Sequence, residues 1–213
     1  MLLVRFCLIF SFNLDADGAE FTFIHYIQQL LQGLPLYLNP EAHPYSAVLY
    51  TPLYLYVVFF ISKLFHLDAI QHIHELYIVG RSVSFACVLA TIYVVDLLIK
   101  LHTKNTQIRV YAIFVFLNVI SGHAYVTRPD AMKIFFFLAY FFQYINYFFY
   151  TKSNKNLILL FVFLLLSFLT KQDVVIYILL IQFVHFLFAL LINFIIILDH
   201  PFIVLFSVQN PGC

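Results

Sequence analysis

The sequence contains little charge. Of its 213 residues, 10% are Asp, Glu, Lys or Arg, and 64% are hydrophobic. The formal net charge is only +1, which argues against the basic surface of a nucleic-acid-binding protein. Soluble domains are roughly half apolar, whereas the mean hydropathy here is +0.97. The composition therefore predicts an integral membrane protein.

Cysteine is also scarce. The chain has three, Cys7, Cys87 and Cys213, and two of them lie inside apolar runs. None has the spacing of a metal site, so we predict neither a disulfide framework nor a zinc site.

Long apolar runs dominate the remaining sequence. A bilayer core needs about 20 mostly apolar residues per helix. The runs occupy residues 2–14, 47–65, 79–99, 110–126, 134–150, 157–169 and 174–198. They predict an all-α fold, a polytopic transmembrane helix bundle that forms one domain over residues 1–213. The first run contains Arg5 and is either a signal peptide or a first transmembrane helix whose start is missing. We favour the helix because no Ala-x-Ala-like cleavage site follows.

The loops predict the orientation. Residues 100–109 and 151–156 are rich in Lys and Arg, which accumulate on the cytoplasmic side. Residues 15–78 then form a long first external loop with interfacial helices, and residues 79–198 form the transmembrane helices. Both ends of the run at 47–65 would lie outside, so we interpret it as interfacial or re-entrant. The alternative is that it crosses the membrane and inverts the topology downstream.

This topology places several charged residues on one side of the membrane. They include Asp17, Glu20, Arg81, Arg128, Asp130 and Lys171. Each also has a simpler explanation. Asp17 and Glu20 suit the start of an amphipathic helix that ends at Gly33, Pro129 and Asp130 suit a helix start, and Arg128 and Lys133 suit contact with lipid headgroups.

Six short motifs in order resemble one membrane enzyme group. They are "DADGAE" at 15–20, "GLPLY" at 33–37, "YTPLYLY" at 50–56, "GRSVSF" at 80–85, and "TRPDAM" at 127–132 followed by "SFLTKQD" at 167–173. Together, over roughly residues 13–182, they resemble the GT-C superfamily of glycosyltransferases. The most similar branch contains protein O-mannosyltransferases and bacterial aminoarabinose transferases.

The resemblance implies a reaction. Such enzymes move a sugar from a polyprenyl- or dolichyl-phosphate carrier to a hydroxyl or amine on the outer side of the membrane. A carboxylate acts as general base, and cations or a bound divalent cation stabilise the departing phosphate. In-line displacement implies inversion at the anomeric carbon, as in inverting glycosidases. The sequence leaves sugar, acceptor and metal requirement open.

The resemblance also implies site residues. The base is Glu20 or Asp17, although Ala19 stands where relatives commonly have the first acid of an Asp-Glu pair. Asp130 matches a second acidic position. Arg81 matches an important arginine at a helix start, and Lys171 and Arg128 are candidates for binding the donor phosphate. A lysine-proline-proline-like motif of some relatives is absent, since "EAHPYS" occupies residues 41–46.

The chain is shorter than such enzymes usually are. This predicts an N-terminal fragment of a GT-C-like module. A truncated inactive membrane protein and a small-molecule transporter are the alternatives. A transporter predicts polar residues near the bilayer midplane, where this sequence is mostly Phe, Leu, Ile and Val. The motifs favour the bacterial inner membrane over the endoplasmic reticulum.

Overall fold

The computed structural model describes residues 2–11, 19–37 and 51–207, with side chains as far as Leu191. These residues form helices and connecting turns, and the described part contains no strand. The α-helices are α1 (Leu2–Ile9), α2 (Glu20–Leu31), α3 (Leu53–Leu64), α4 (Ile73–His102), α5 (Thr106–Ile120), α6 (Asp130–Ile145), α7 (Asn154–Thr170) and α8 (Val174–Ser207). A 3₁₀ turn, Ser121–His123, follows α5, and a π-helical turn, Asn146–Tyr150, follows α6.

The predicted all-α class is confirmed. Two helical stretches, Ile73–His102 and Val174–Leu191, are long and apolar enough to cross a membrane. Helix α4 begins at residue 73 and not at the predicted 79, because its first turn contains His74 and Glu75, which lower the local hydropathy without preventing helix formation. The chain divides into two compact units, Met1–Gln172 and Asp173–Cys213, and the described part of the second is essentially α8.

Helix α2 is amphipathic, as its sequence predicts. Its buried face includes Phe23, Ile24 and Ile27, which join a core with side chains of α3 and α4 such as Tyr54 and Leu76. Ala19 precedes the helix without a side-chain cap, and the cap expected from Asp17 lies outside the described residues. The apolar face thus fixes α2 against the start of α4.

Helices α2 and α3 end in the same way. In α2, Gly33 (φ 78°) donates its N–H to Leu30 and Leu34 donates to Gln29. In α3, His66 (φ 53°) donates to Lys63 and Leu67 donates to Ser62. Both are Schellman motifs with a left-handed residue after the helix. The 12 residues of α3 cover about 18 Å, which is shorter than a bilayer core.

Helices α4, α6 and α7 pack side by side. A second core forms where Val88 of α4 meets Ile120, Ala124 and Ala131. Small residues allow the chain to approach α4 closely: a Cβ added at Gly80 would overlap the side chain of Thr127. This approach holds the segment between α5 and α6 against the first turns of α4.

Candidate functional site

A buried ion pair joins α2 to α4. Arg81 donates to Glu20 through Nε (3.1 Å to Oε1) and Nη2 (2.8 Å to Oε2). The side chains are 1% and 0% exposed, respectively. Arg81 also donates through Nη1 to the carbonyl of Ser11 at 3.2 Å and lies 5.3 Å from the ring centroid of Tyr77. Two-point contact of a planar guanidinium with a carboxylate fixes both side chains.

The segment before α6 completes this arrangement. The backbone N–H of Thr127 donates to Glu20 Oε1 at 2.6 Å. We call Glu20, Arg81 and Thr127 the junction, because they connect α2, α4 and the segment before α6. At the junction, Glu20 Oε1 accepts two hydrogen bonds and Oε2 accepts one. These three donors stabilise the charged carboxylate.

A second set of contacts supports the same segment. Tyr54 of α3 donates its hydroxyl to the carbonyl of Gly80 at 3.0 Å and lies 3.2 Å from Ser84 Oγ. Ser84 in turn donates to the carbonyl of Arg128 at 3.3 Å. The Thr127 N–H therefore contacts α2 and the Arg128 carbonyl contacts α4, two helices that are distant from this segment in sequence.

Three cations surround Asp130 in the first turn of α6, ahead of the apolar run that begins at residue 134. Lys171 Nζ lies 2.8 Å and Lys133 Nζ 3.6 Å from Asp130 Oδ1, and Arg128 Nε lies 3.4 Å from Oδ2. We call these four residues the cation cluster. Lys171 directly follows α7, so the cluster joins the ends of α6 and α7.

The three cations of the cation cluster favour the ionised form of Asp130. Burial raises the pKa of the Asp130 carboxyl, but the hydrogen bond from Lys171 and the charges of Lys171, Lys133 and Arg128 outweigh burial, so the pKa lies below its ordinary value. With Asp130 ionised, one acid faces three bases. The cations keep partial exposure, with 24% for Lys171 and 33% for Arg128. Such a group can accept an anion that has two or more oxygen atoms.

The structure brings five of the six predicted site residues into one contact network. Glu20 and Arg81 form the junction, and Arg128, Asp130 and Lys171 belong to the cation cluster, which starts one residue after Thr127. Asp17 lies outside the described residues. Glu20 is engaged on both oxygens, which does not suit a general base that must reach an acceptor hydroxyl.

Sequence reasoning missed two participants. Lys133 is predicted from the sequence to contact the lipid headgroups, but it contacts Asp130, and the i,i+3 spacing of the two residues is visible in the sequence. The backbone of Thr127 leaves no signal in the sequence. Among the described residues, no group of three or more His, Cys, Asp or Glu side chains is arranged to hold a metal ion, so the divalent cation considered from sequence has no assigned ligands.

No protein-family model, curated protein or solved structure matches this chain. The chemical groups available at the site are those of the junction and the cation cluster.

Proposed function

We propose that this chain is a multi-pass helical membrane protein that binds a polyprenyl- or dolichyl-phosphate-linked sugar and transfers the sugar to an acceptor on the outer side. The observation that carries the proposal is the cation cluster, where three bases surround one acid at the ends of two apolar helices. An anionic ligand with a long apolar tail fits this combination of charge and surroundings.

The apolar surface supports a membrane location. Large hydrophobic side chains are exposed along α4, α5, α7 and α8, for example Tyr93, Val119, Phe161 and Leu179. Soluble monomers rarely expose contiguous apolar surface beyond a few hundred Å². Twenty residues of helix separate Arg81 from Leu101 in α4, about 30 Å, which matches the hydrocarbon thickness of a bilayer. The motifs favour the bacterial inner membrane, and the charge pattern of the loops places the cation cluster on its outer side.

The phosphate of the donor would bind at the cation cluster. Lys171 and Arg128 retain exposed surface and would donate to phosphate oxygens as negative charge builds up on the leaving group. Asp130 lies within hydrogen-bond distance of Lys171 and therefore acts as a positioning residue for the cations. A base beside the leaving group cannot assist in-line attack from the opposite face of the sugar.

Of the two predicted candidates, Glu20 and Asp17, we propose Asp17 as the general base. Glu20 is buried and engaged with Arg81 and Thr127, and Asp130 is on the leaving-group side. Asp17 is the other predicted carboxylate of the first external loop. Glu20 positions Arg81 and the segment that contains Arg128.

Two measurements test the proposal on the full chain in nanodiscs. The first is binding of polyprenyl phosphate compared with uncharged polyprenol. Lys171→Gln removes one charge-assisted contact, worth about 1.5–3 kcal/mol, and should weaken polyprenyl phosphate binding about tenfold or more. Lys63→Gln, on α3, is the matched control and should bind like the wild type. Equal affinity for the phosphate and the alcohol would refute the phosphate site.

The second measurement is release of polyprenyl phosphate from polyprenyl-phosphate mannose or polyprenyl-phosphate aminoarabinose in the presence of a membrane extract that supplies acceptors. The wild type should release it, and Asp17→Asn should bind donor normally and release none. Release by Asp17→Asn at the wild-type rate would exclude Asp17 as the base.

An inactive donor-binding membrane protein is the second candidate. Two features favour it: Ala19 precedes Glu20, and both Glu20 oxygens are engaged by donors. Donor binding without any sugar transfer by the wild type would identify this alternative.

A further inference from the structure

The end of α4 distant from the junction also has a concentration of positive charge. Five cations lie in or next to the α4–α5 and α6–α7 connections, and we call them the basic end: Lys100, Lys104, Arg109, Lys152 and Lys155. The only acid in residues 96–110 and 146–156 is Asp96. It pairs with Lys100 and Arg109, both at 2.6 Å. Five cations against one acid leave an excess of four positive charges.

Two contacts hold the basic end together. Asp96 connects α4 to α5 through Arg109 Nε at 3.1 Å and Nη2 at 2.6 Å. Tyr150, in the π-helical turn after α6, donates its hydroxyl to the carbonyl of Leu101 at 3.2 Å. The second contact brings the connection between α6 and α7 beside the connection between α4 and α5. The two lysine-containing loops therefore lie on one surface.

A shallow, open apolar groove lies on one face of α5. It has a volume of about 440 Å³ and is lined by Thr106, Gln107, Val110, Tyr111 and Phe114. Its first residues belong to the first turn of α5, which Asn105 caps by accepting from Gln107 and Ile108. The groove thus begins in the turn of α5 that also contains Arg109, and it continues along the part of α5 that would face the hydrocarbon.

Aromatic side chains flank the same end. Phe148, Phe149 and Tyr150 of the π-helical turn are 44%, 67% and 54% exposed. Aromatic residues concentrate where a membrane protein meets the headgroup region, and π-helical turns are frequent at functional sites. The cations, the apolar groove and the exposed aromatic side chains come from several segments of the chain, and all of them lie at this end of the bundle.

We infer that the basic end is a binding site for an anionic phospholipid, with the headgroup phosphate on the cations and one acyl chain in the groove along α5. Charge complementarity selects the anionic headgroup, and the apolar groove selects a lipid over a free phosphate ion. The inference rests on the membrane location proposed above and not on sugar transfer. About 30 Å of α4 separates this site from the junction, so the two sites bind separate ligand molecules.

The test uses the full chain in neutral detergent, titrated with phosphatidylglycerol or phosphatidylcholine and followed by native mass spectrometry. The wild type should bind phosphatidylglycerol preferentially. Lys104→Gln/Lys152→Gln/Lys155→Gln should reduce that preference by about fivefold for each lysine removed, whereas Lys63→Gln should not change it. Rising ionic strength should weaken phosphatidylglycerol binding by the wild type itself, which tests the charge dependence even if the triple variant fails to fold.

The groove is tested separately. Phe114→Ala should weaken binding of both lipids, and Phe60→Ala, an equally exposed phenylalanine on α3, should not. Soluble glycerol phosphate at millimolar concentration should not compete. Equal binding of the two lipids by the wild type, or an unchanged preference in the triple variant, would overturn the inference. Either result would leave the polyprenyl phosphate measurements on Lys171→Gln unaffected, because that residue lies at the opposite end of the bundle.

Discussion

At the scale of the residue, the Glu20 carboxylate holds the junction together. It is completely buried, and it is stabilised by the Arg81 guanidinium and the Thr127 N–H. A buried ion pair adds little stability compared with a well-packed apolar pair, but breaking it leaves an uncompensated buried charge. The junction is therefore sensitive to changes that affect only one partner.

Glu20→Gln should destabilise the chain by about 3–5 kcal/mol, because the Arg81 charge would remain buried without its counter-ion. Thermal unfolding in detergent measures this loss. Glu75→Gln, an exposed glutamate in the first turn of α4, is the control and should change stability little. Glu20→Leu/Arg81→Met should recover much of the loss. A Glu20→Gln protein as stable as Glu75→Gln would mean that the junction does not form.

The Asp130 carboxyl should make the stability of the chain depend on pH. Its folded-state pKa lies below its ordinary value of 3.8 because of the three surrounding cations. As the pH falls, the unfolded chain therefore takes up this proton before the folded chain does. The stability that Asp130 contributes is fully present above the unfolded-state pKa and is lost as the pH falls through the lowered folded-state pKa.

The unfolding temperature of the wild type should therefore exceed that of Asp130→Asn at neutral pH, and the two should converge in acid. A series of thermal melts from neutral pH to below the ordinary aspartate pKa measures the difference. A difference that grows toward low pH would contradict the cation cluster. Glu75→Gln, compared in the same way, controls for general acid effects.

At the scale of the element, the close approach of α4 to the segment before α6 requires glycine at position 80, because glycine has no side chain. Gly80→Ala would force the new methyl group against Thr127, and overpacking costs about 1–3 kcal/mol. Nothing lies within 4 Å of a Cβ added at Gly122, so Gly122→Ala should be nearly neutral. Thermal melts compare the two variants, and combining Gly80→Ala with Thr127→Ala should recover part of the loss. Equal stability of the two glycine variants would refute the close contact.

His66, which follows α3, adopts a backbone conformation that is unfavourable for a residue with a side chain. His66 adopts φ 53°, and an L-residue in the left-handed region costs about 1–2 kcal/mol. His66→Gly should stabilise the chain by about 1 kcal/mol, whereas His66→Ala, which keeps the Cβ, should not. Chemical unfolding in detergent measures both. Gly33→Ala at the matching position of α2 should show the opposite sign.

At the scale of the whole molecule, the proposed topology places residues 104 and 152 on one side of the membrane and residue 122 on the other. Single cysteines at Lys104, Lys152 and Gly122, in a chain whose native cysteines are serine, can be labelled with an impermeant maleimide from either side of sealed vesicles. The first two should react from the same side and Gly122→Cys from the opposite side. Reaction of all three from one side would exclude a crossing by α5.

Much of the fold could be predicted from local pattern. Apolar runs predicted the existence and order of α4 to α8, although several helix ends differ from the predicted ones by four to nine residues, and the amphipathic stripe up to Gly33 predicted α2, because hydropathy and periodicity are local properties. The contact of Glu20 with Arg81 could not be obtained in this way, since the partners are 61 residues apart. Resemblance singled out both residues but did not predict their pairing. The backbone contact of Thr127 and the π-helical turn have no distinctive residue type, so the sequence did not predict them.

The junction also has a consequence for biogenesis. Thr127 is 107 residues after Glu20 in the chain, and synthesis proceeds from the amino terminus. Helix α2 therefore leaves the ribosome long before Thr127 is synthesised, and Arg81 becomes available to Glu20 before Thr127 does. The complete set of junction contacts can form only after residue 127 has emerged, so the packing of the first helices is completed late in synthesis.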